Sequence, residues 1–243
     1  MIIEVCCGSY EDACIAQKAG AHRVELNSAM FLGGLTPSLG NLRLCKKNLQ
    51  IPVLPMIRPR SGGFFYTDYE YDTMVEDAKI FLENGADGIV FGFLNGDGTV
   101  NEERTRFFVE LAGEKDSVFH RAFDVVPDAA AGLETLIKCG VKRLLTSGLA
   151  PSAYNGMDVI KSLIKQANGR IEILPGAGLR ASNIKHFVEH TGVNQVHFAA
   201  KEARVEPSVA NNRSIFYGGA LYPREDLVEV NSLDGIEEVI GSI

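Results

Sequence analysis

The chain has 243 residues, 46% of them hydrophobic and 23% charged, with a formal net charge of −7. This is the composition of an ordinary soluble globular protein, large enough to bury a substantial core without disulfides, and its acidity speaks against broad nucleic-acid binding, which wants a basic face. No apolar run approaches the ~18 residues of a membrane span, the N-terminus MIIEVCCGS carries no charged leader, and five irregularly spaced cysteines suit a reducing cytosol. A cytoplasmic protein with neither membrane nor nucleic-acid partners is expected.

A short apolar strand, a polar loop and an amphipathic helix recur along the chain. The strand patterns are Ile2–Cys6, Val24–Leu26, Val53–Ile57, Gly88–Phe91, Val118–His120, Arg143–Thr146, Ile171–Leu174 and Gln195–Phe198. Helical spacing lies between them: Tyr10–Lys18 capped by Ser9, a helix from Thr36–Ser38 to before Ile51, and one capped by Asp68. Others follow over Asn101–Ala112, Pro127–Cys139, Met157–Ala167, Ala181–His190 with Ser182 or a residue near it as cap, and Leu233–Ile243. Alternating strands and helices imply a parallel sheet. Eight such units in one α/β domain over 1–243 close into a (β/α)8 TIM barrel, whose usual length is ~250 residues. Residues 201–224 lack periodicity and are expected to form an irregular arm before the short last helix. Its apolar residues Ile215, Phe216, Tyr217, Leu221 and Tyr222 predict a contact in a homo-oligomer, a dimer first of all.

Strand side chains alternate, so the apolar set on each strand identifies the outward face. Inward then lie Glu4 and Cys6, Arg23, Glu25 and Asn27, Arg58 with Arg60 beyond, His120, Arg143, Leu145 and Ser147, Glu172 and Leu174, Gln195 and His197. An interior lined with charges and imidazoles is expected. Arg23, Arg143, Glu172 and Gln195 fall at the amino ends and read as a salt-bridged floor. Glu4, Cys6, Glu25, Asn27, Arg58, His120, Ser147 and His197 fall towards the carboxyl ends, where barrel function resides. Glu25, His120 and His197 are candidate acid/base residues. Glu4, Arg58, Arg60, Asp124, Ser147, Gly176 and Gly178 are candidate ligand-binding residues: the loop Arg58–Tyr66 is basic and glycine-containing, and Pro175-Gly176-Ala177-Gly178 can present backbone N–H groups to a phosphate. The loop Leu32–Ser38 is expected to act as a lid. Cys6 and Cys7 are adjacent on a strand and point to opposite faces, so they do not chelate one ion together. Cys6 alone points to the mouth; its thiolate suits Cu(I), whereas Glu4, Glu25, His120 and His197 suit a harder divalent ion.

The stretches EVCCGSYEDACIAQKAGAHRVELNSA, GGLTPSLG, MIRPRSGGFFYTDYE, DGIVFGFLNGDG, FHRAFD, LLTSG, GRIEILPGAGL and VHFAAKEAR resemble the CutC family over residues 2 to 204. That resemblance implies a barrel, a role in copper homeostasis, and copper held by a cysteine at the end of strand one and another at the end of strand two. Cys6 matches the first position; the second is Asn27, within Glu25-Leu26-Asn27-Ser28-Ala29, and an amide oxygen is a poor Cu(I) ligand. Weak copper binding through Cys6 is therefore expected. The alternative is a TIM-barrel enzyme of the lyase, isomerase or hydrolase class acting on a small anionic or phosphorylated metabolite at the mouth. A third reading is a structural or interaction barrel.

Overall fold

The computed structural model describes residues 1–218 and 227–243. Eight parallel strands form the centre: β1 (Ile2–Cys7), β2 (Arg23–Leu26), β3 (Val53–Pro55), β4 (Gly88–Phe91), β5 (Asp116–Phe119), β6 (Arg143–Thr146), β7 (Glu172–Pro175) and β8 (Gln195–Phe198). They pair in the orders β3-β2-β1-β8 and β4-β5-β6-β7. A bridge between Met56 and Val90 joins β3 to β4, with Ile57 N donating to Val90 O at 2.7 Å. At the opposite seam β7 lies beside β8, where Gln195 Nε2 donates to Glu172 Oε2 at 3.3 Å. The helices α1 (Tyr10–Lys18), α2 (Leu39–Asn48), α3 (Asp68–Glu83), α4 (Glu102–Ala112), α5 (Ala129–Cys139), α6 (Met157–Ala167), α7 (Ala181–Thr191) and α8 (Leu233–Gly241) surround the strands. Each packs on the next, and α8 returns to α1. The fold is the (β/α)8 barrel that the alternating pattern implies.

Local caps set the helix starts. Ser9, Ser38, Asn101 and Asp128 each accept a backbone N–H from three residues ahead. The start of α3 differs from expectation: Thr67, not Asp68, is the cap, because Glu70 completes a capping box with it. Likewise α7 follows Arg180, whose N–H donates to Asn183 Oδ1 at 2.9 Å; Ser182 is not its cap. A 3₁₀ turn over Arg121–Val125 occupies the loop ahead of α5, so that helix starts at Ala129.

Two cores result. Ile3, Val5, Val24 and Leu26 face outward into the larger one, beneath the helices. The interior is divided, contrary to the expectation of a polar lining throughout. Leu54, Met56, Val90, Val118, Leu145 and Leu174, from β3 to β7, form a separate apolar cluster. The polar half comes from β8, β1 and β2: Gln195, His197, Glu4, Cys6, Arg23, Glu25 and Asn27 are all buried.

The floor carries two paired arginines. Arg143 donates to Glu172 Oε2 at 2.7 Å and to Asp116 Oδ2 at 2.9 Å. Arg23 pairs with Glu4 and donates to Gln195 Oε1 at 2.6 Å. The segment after β8 departs from the irregular arm expected there. Lys201–Val205 (β9) and Leu227–Asn231 (β10) form an antiparallel pair, tied to α1 by Lys201–Asp12 at 2.7 Å and Arg204–Glu11 at 2.6 Å. Ile215, Phe216 and Tyr217 are exposed; Leu221 and Tyr222 lie outside the described residues.

Removing one partner of a buried ion pair strands the other charge, at a cost of about 3–5 kcal/mol. Arg23→Ala should therefore destabilise the barrel by that order in chemical denaturation, and Glu4→Gln added to it should recover a large part of the loss. A single variant within ~0.5 kcal/mol of the parent, the range of ordinary surface changes, contradicts this account of the floor.

Candidate functional site

Above the floor the barrel opens into a cavity of about 580 Å³. Its lower wall is polar. The strand register sets Cys6 level with Glu25 on β2, and Glu4 level with both Arg23 and His197. Glu4 does not reach the cavity; it lies beneath, and its second carboxylate oxygen meets His197 Nδ1 at 2.8 Å. Burial pushes the Glu4 carboxyl up, but His197 and Arg23 outweigh it and hold the group down at about 2. Burial opposes charge on His197, yet Glu25 and Glu4 together raise its affinity for a proton above the ordinary value. His197 thus sits between two carboxylates that favour its protonated form, with its Nε2 at 3.8 Å from Glu25 Oε2.

Glu25 Oε2 accepts from Asn27 Nδ2 at 2.8 Å and from the Cys6 thiol at 3.3 Å. Burial, then the Glu25 carboxylate, push the Cys6 thiol well above its ordinary range, so it is protonated at neutral pH. Cys6, Glu25 and His197 bring one ligand atom each to within 4.8 Å of one another, the one such group among the described residues. Glu4 and His120 do not join it. A donor that the strand pattern does not show is Met30, whose Sδ lies 4.0 Å from Cys6 Sγ. It sits at the start of a 3₁₀ turn, after Ala29 with φ of +46°, and its Cγ is 2.9 Å from where a Cβ on Gly8 would stand. The only sequence signal for it was a methionine four residues beyond a strand end.

The opposite wall is built differently. His120 is buried against Phe64, with ring centroids 5.0 Å apart. Its Nδ1 accepts from Ala122 N at 3.1 Å, which puts the proton on Nε2, an atom that has no protein partner. Burial, followed by the nearby Arg58 guanidinium, pushes this imidazole down to about 3. His120 is thus held in its neutral form, with Nε2–H the donor it offers. Gly92 is required beside it, since a Cβ there would stand 2.5 Å from the ring.

Arg58 lines the cavity, but its guanidinium staples loops: Nη1 donates to Leu32 O and Gly34 O, and Nη2 to Gly62 O. With Ser28 and Leu35 also exchanging backbone bonds, the Leu32–Ser38 loop is fastened to its neighbours, which does not fit the expected lid. Arg60 is outside the cavity lining, paired with Glu70 and stacked over Tyr66 at 4.9 Å. Asp124 reaches the mouth and is held by Ser147 N at 2.9 Å, Thr146 Oγ1 at 2.5 Å and Arg121 Nε at 2.7 Å. Ser147 lies behind it, giving its hydroxyl to that network. Gly176 is a spacer: a Cβ there would come within 2.7 Å of Leu145 and 3.0 Å of His197. Gly178 lines the cavity with Ala177, Leu179 and the exposed Arg180.

Two titrations of opposite sign follow. His120 is held neutral in the fold, so the unfolded chain binds the extra proton below about pH 6.5, and stability falls as pH drops from there towards 3. His197 binds its proton more tightly in the fold, so its contribution is complete below the unfolded value and fades as pH rises through its raised folded one. Thermal denaturation against pH should give a maximum near neutrality. His120→Asn should flatten the acid limb, whose slope is at most about 1.4 kcal/mol per pH unit for one proton; an unchanged slope would show that His120 does not set it.

The family model described as the CutC family matches residues 1–202. A CutC family protein of Treponema denticola is 56% identical over 241 residues, covering 99% of this chain and 98% of the relative. The human copper homeostasis protein cutC homolog is 40% identical over 245 residues, covering 98% and 90%. The crystal structure of CutC from Streptococcus agalactiae superposes with a TM-score of 0.77 at 34% identity, covering 82% of this chain and 98% of that one. The polar inner wall of β8, β1 and β2 is therefore the wall of a CutC barrel: this chain belongs to the CutC family.

Proposed function

We propose that this protein takes part in copper homeostasis and holds Cu(I) at the lower wall of the mouth. The relatives named for copper homeostasis support the role. The observation that carries the site is the pair of sulfurs, Cys6 Sγ and Met30 Sδ, 4.0 Å apart beside His197. Thiolate and thioether are the soft donors that select Cu(I). Met30 thus offers a second sulfur where Asn27 cannot. The Cys6 thiol must lose its proton to ligate, and Glu25, which accepts its hydrogen bond, is placed to receive it.

Competition titrations with a Cu(I) chelator should give one equivalent bound, tightening roughly tenfold per pH unit for each proton released. Cys6→Ser should abolish binding. Met30→Leu should weaken it by at least about the tenfold that loss of even an outer partner costs, and Asn27→Cys should tighten it. Binding that survives Cys6→Ser refutes this site.

The size of the cavity favours a second reading, because about 580 Å³ far exceeds a metal ion. The N–H groups of Ala177, Gly178 and Leu179 have no acceptor among the described residues, and they precede the N-terminus of α7 beside Arg180, an arrangement suited to an anion. We propose that a small anionic metabolite binds there. Inorganic phosphate, titrated by calorimetry, should bind the parent and lose about tenfold in Arg180→Ala, a charge-assisted contact of ~1.5 kcal/mol. Equal affinity in both proteins removes this reading.

A further inference from the structure

Three of the five histidines belong to neither the paired floor nor the mouth: His22, whose Nδ1 accepts from Ile3 N at 3.1 Å, and two that share one face of α7. His186 and His190 are four residues apart, so both project from the same side of the helix one turn apart. Their rings stack at 6.1 Å between centroids with an interplanar angle of 23°. Asp158, in the first turn of α6, approaches from the neighbouring helix, its Oδ1 at 2.8 Å from His190 Nε2. Tyr154, just ahead of α6, closes the other side, with its hydroxyl 3.4 Å from His186 Nδ1. His186 Nε2 has no partner among the described residues. His186 is exposed, His190 half-buried and the Asp158 side chain 89% exposed.

We propose that His186, His190 and Asp158 form a surface site for a borderline divalent cation, binding Cu(II) most tightly and Zn(II) less so. Two imidazoles at i and i+4 on one helix face are the standard bidentate frame for such ions, and a carboxylate from a second element supplies a third, anionic ligand. The metal takes the place of the proton between His190 Nε2 and Asp158, and His186 turns its free Nε2 towards it. The Tyr154 hydroxyl stands 3.4 Å from His186 Nδ1, on the side of the ring away from Nε2, where metal-binding histidines commonly have an outer partner. Nitrogen and oxygen donors without sulfur favour divalent ions over Cu(I), and the Irving–Williams order places Cu(II) above Zn(II). The site is independent of the Cys6 wall: it lies on the outer helical layer and shares no residue with the cavity lining.

Calorimetric titration of the full chain with Zn(II), and electron paramagnetic resonance with Cu(II), test this in a Cys6→Ser background that removes the mouth thiol. One equivalent should bind, with hyperfine structure from two imidazole nitrogens. His186→Ala and His190→Ala should each weaken binding by at least about tenfold, and Asp158→Asn by a smaller factor. All three positions are at the surface, and circular dichroism would verify that each variant is folded. A spectrum with one coordinated nitrogen, or affinities within twofold of the parent in both histidine variants, overturns the site.

Discussion

The inner wall of this barrel depends on one buried carboxylate. Glu4 sits in the centre of β1 with Arg23 level with it on β2 and His197 level with it on β8, so a single anion serves two groups on opposite neighbouring strands. Without it, Arg23 would lose its carboxylate partner under the barrel and His197 would lose one of the two carboxylates, with Glu25, that raise its affinity for a proton. The cost of burying an isolated ion is several kcal/mol; three ions in alternating sign, with Gln195 satisfying Arg23, offset most of that. The Arg23 side of the floor and the polar wall of the mouth are thus one electrostatic unit running along β8, β1 and β2, while Arg143 pairs with Asp116 and Glu172 on the other side.

The division of the interior follows from this unit. Charges that must neutralise one another must also be neighbours, so Arg23, Glu4, His197 and Glu25 occupy the consecutive strands β8, β1 and β2. The rest of the circle is left to Leu54, Met56, Val90, Val118, Leu145 and Leu174, which fill the barrel as branched and long apolar side chains usually do. The mouth inherits both characters. A charged wall holding Cys6, Glu25 and His197 faces an apolar one, in which His120 is kept neutral by burial and by the positive charge of Arg58. The two imidazoles of the mouth, alike in sequence context at the end of a strand, are therefore pushed in opposite directions, His197 towards its protonated form by two carboxylates and His120 away from charge.

How far the sequence alone carries depends on the range of the interaction. Periodicity of 2 in strands and 3.6 in helices is a local property, so the eight units, the barrel, the helix spans of α1 and α6 and the inward direction of Glu4, Cys6, Glu25, Arg58, His120 and His197 were legible. The start of α3 was legible to within a residue, because Thr and Asp compete for the cap and the capping box with Glu70 settles it at Thr67; at α7 the cap is Arg180, two residues before Ser182. What needed the assembled fold was every relation between distant segments. Arg58 and Arg60 both read as anion holders, yet one fastens loops and the other pairs with Glu70. Met30 reaches Cys6 only because a left-handed Ala29 and a bare Gly8 let its turn fold over the end of β1. The β9–β10 pair, anchored by the buried Asp12, joins residues whose sequence separation hides any pattern. Composition and alternation determined which side chains face inward; tertiary packing decided which of them meet, and therefore which are charged, which are braces, and which are left with a free donor or a soft ligand atom.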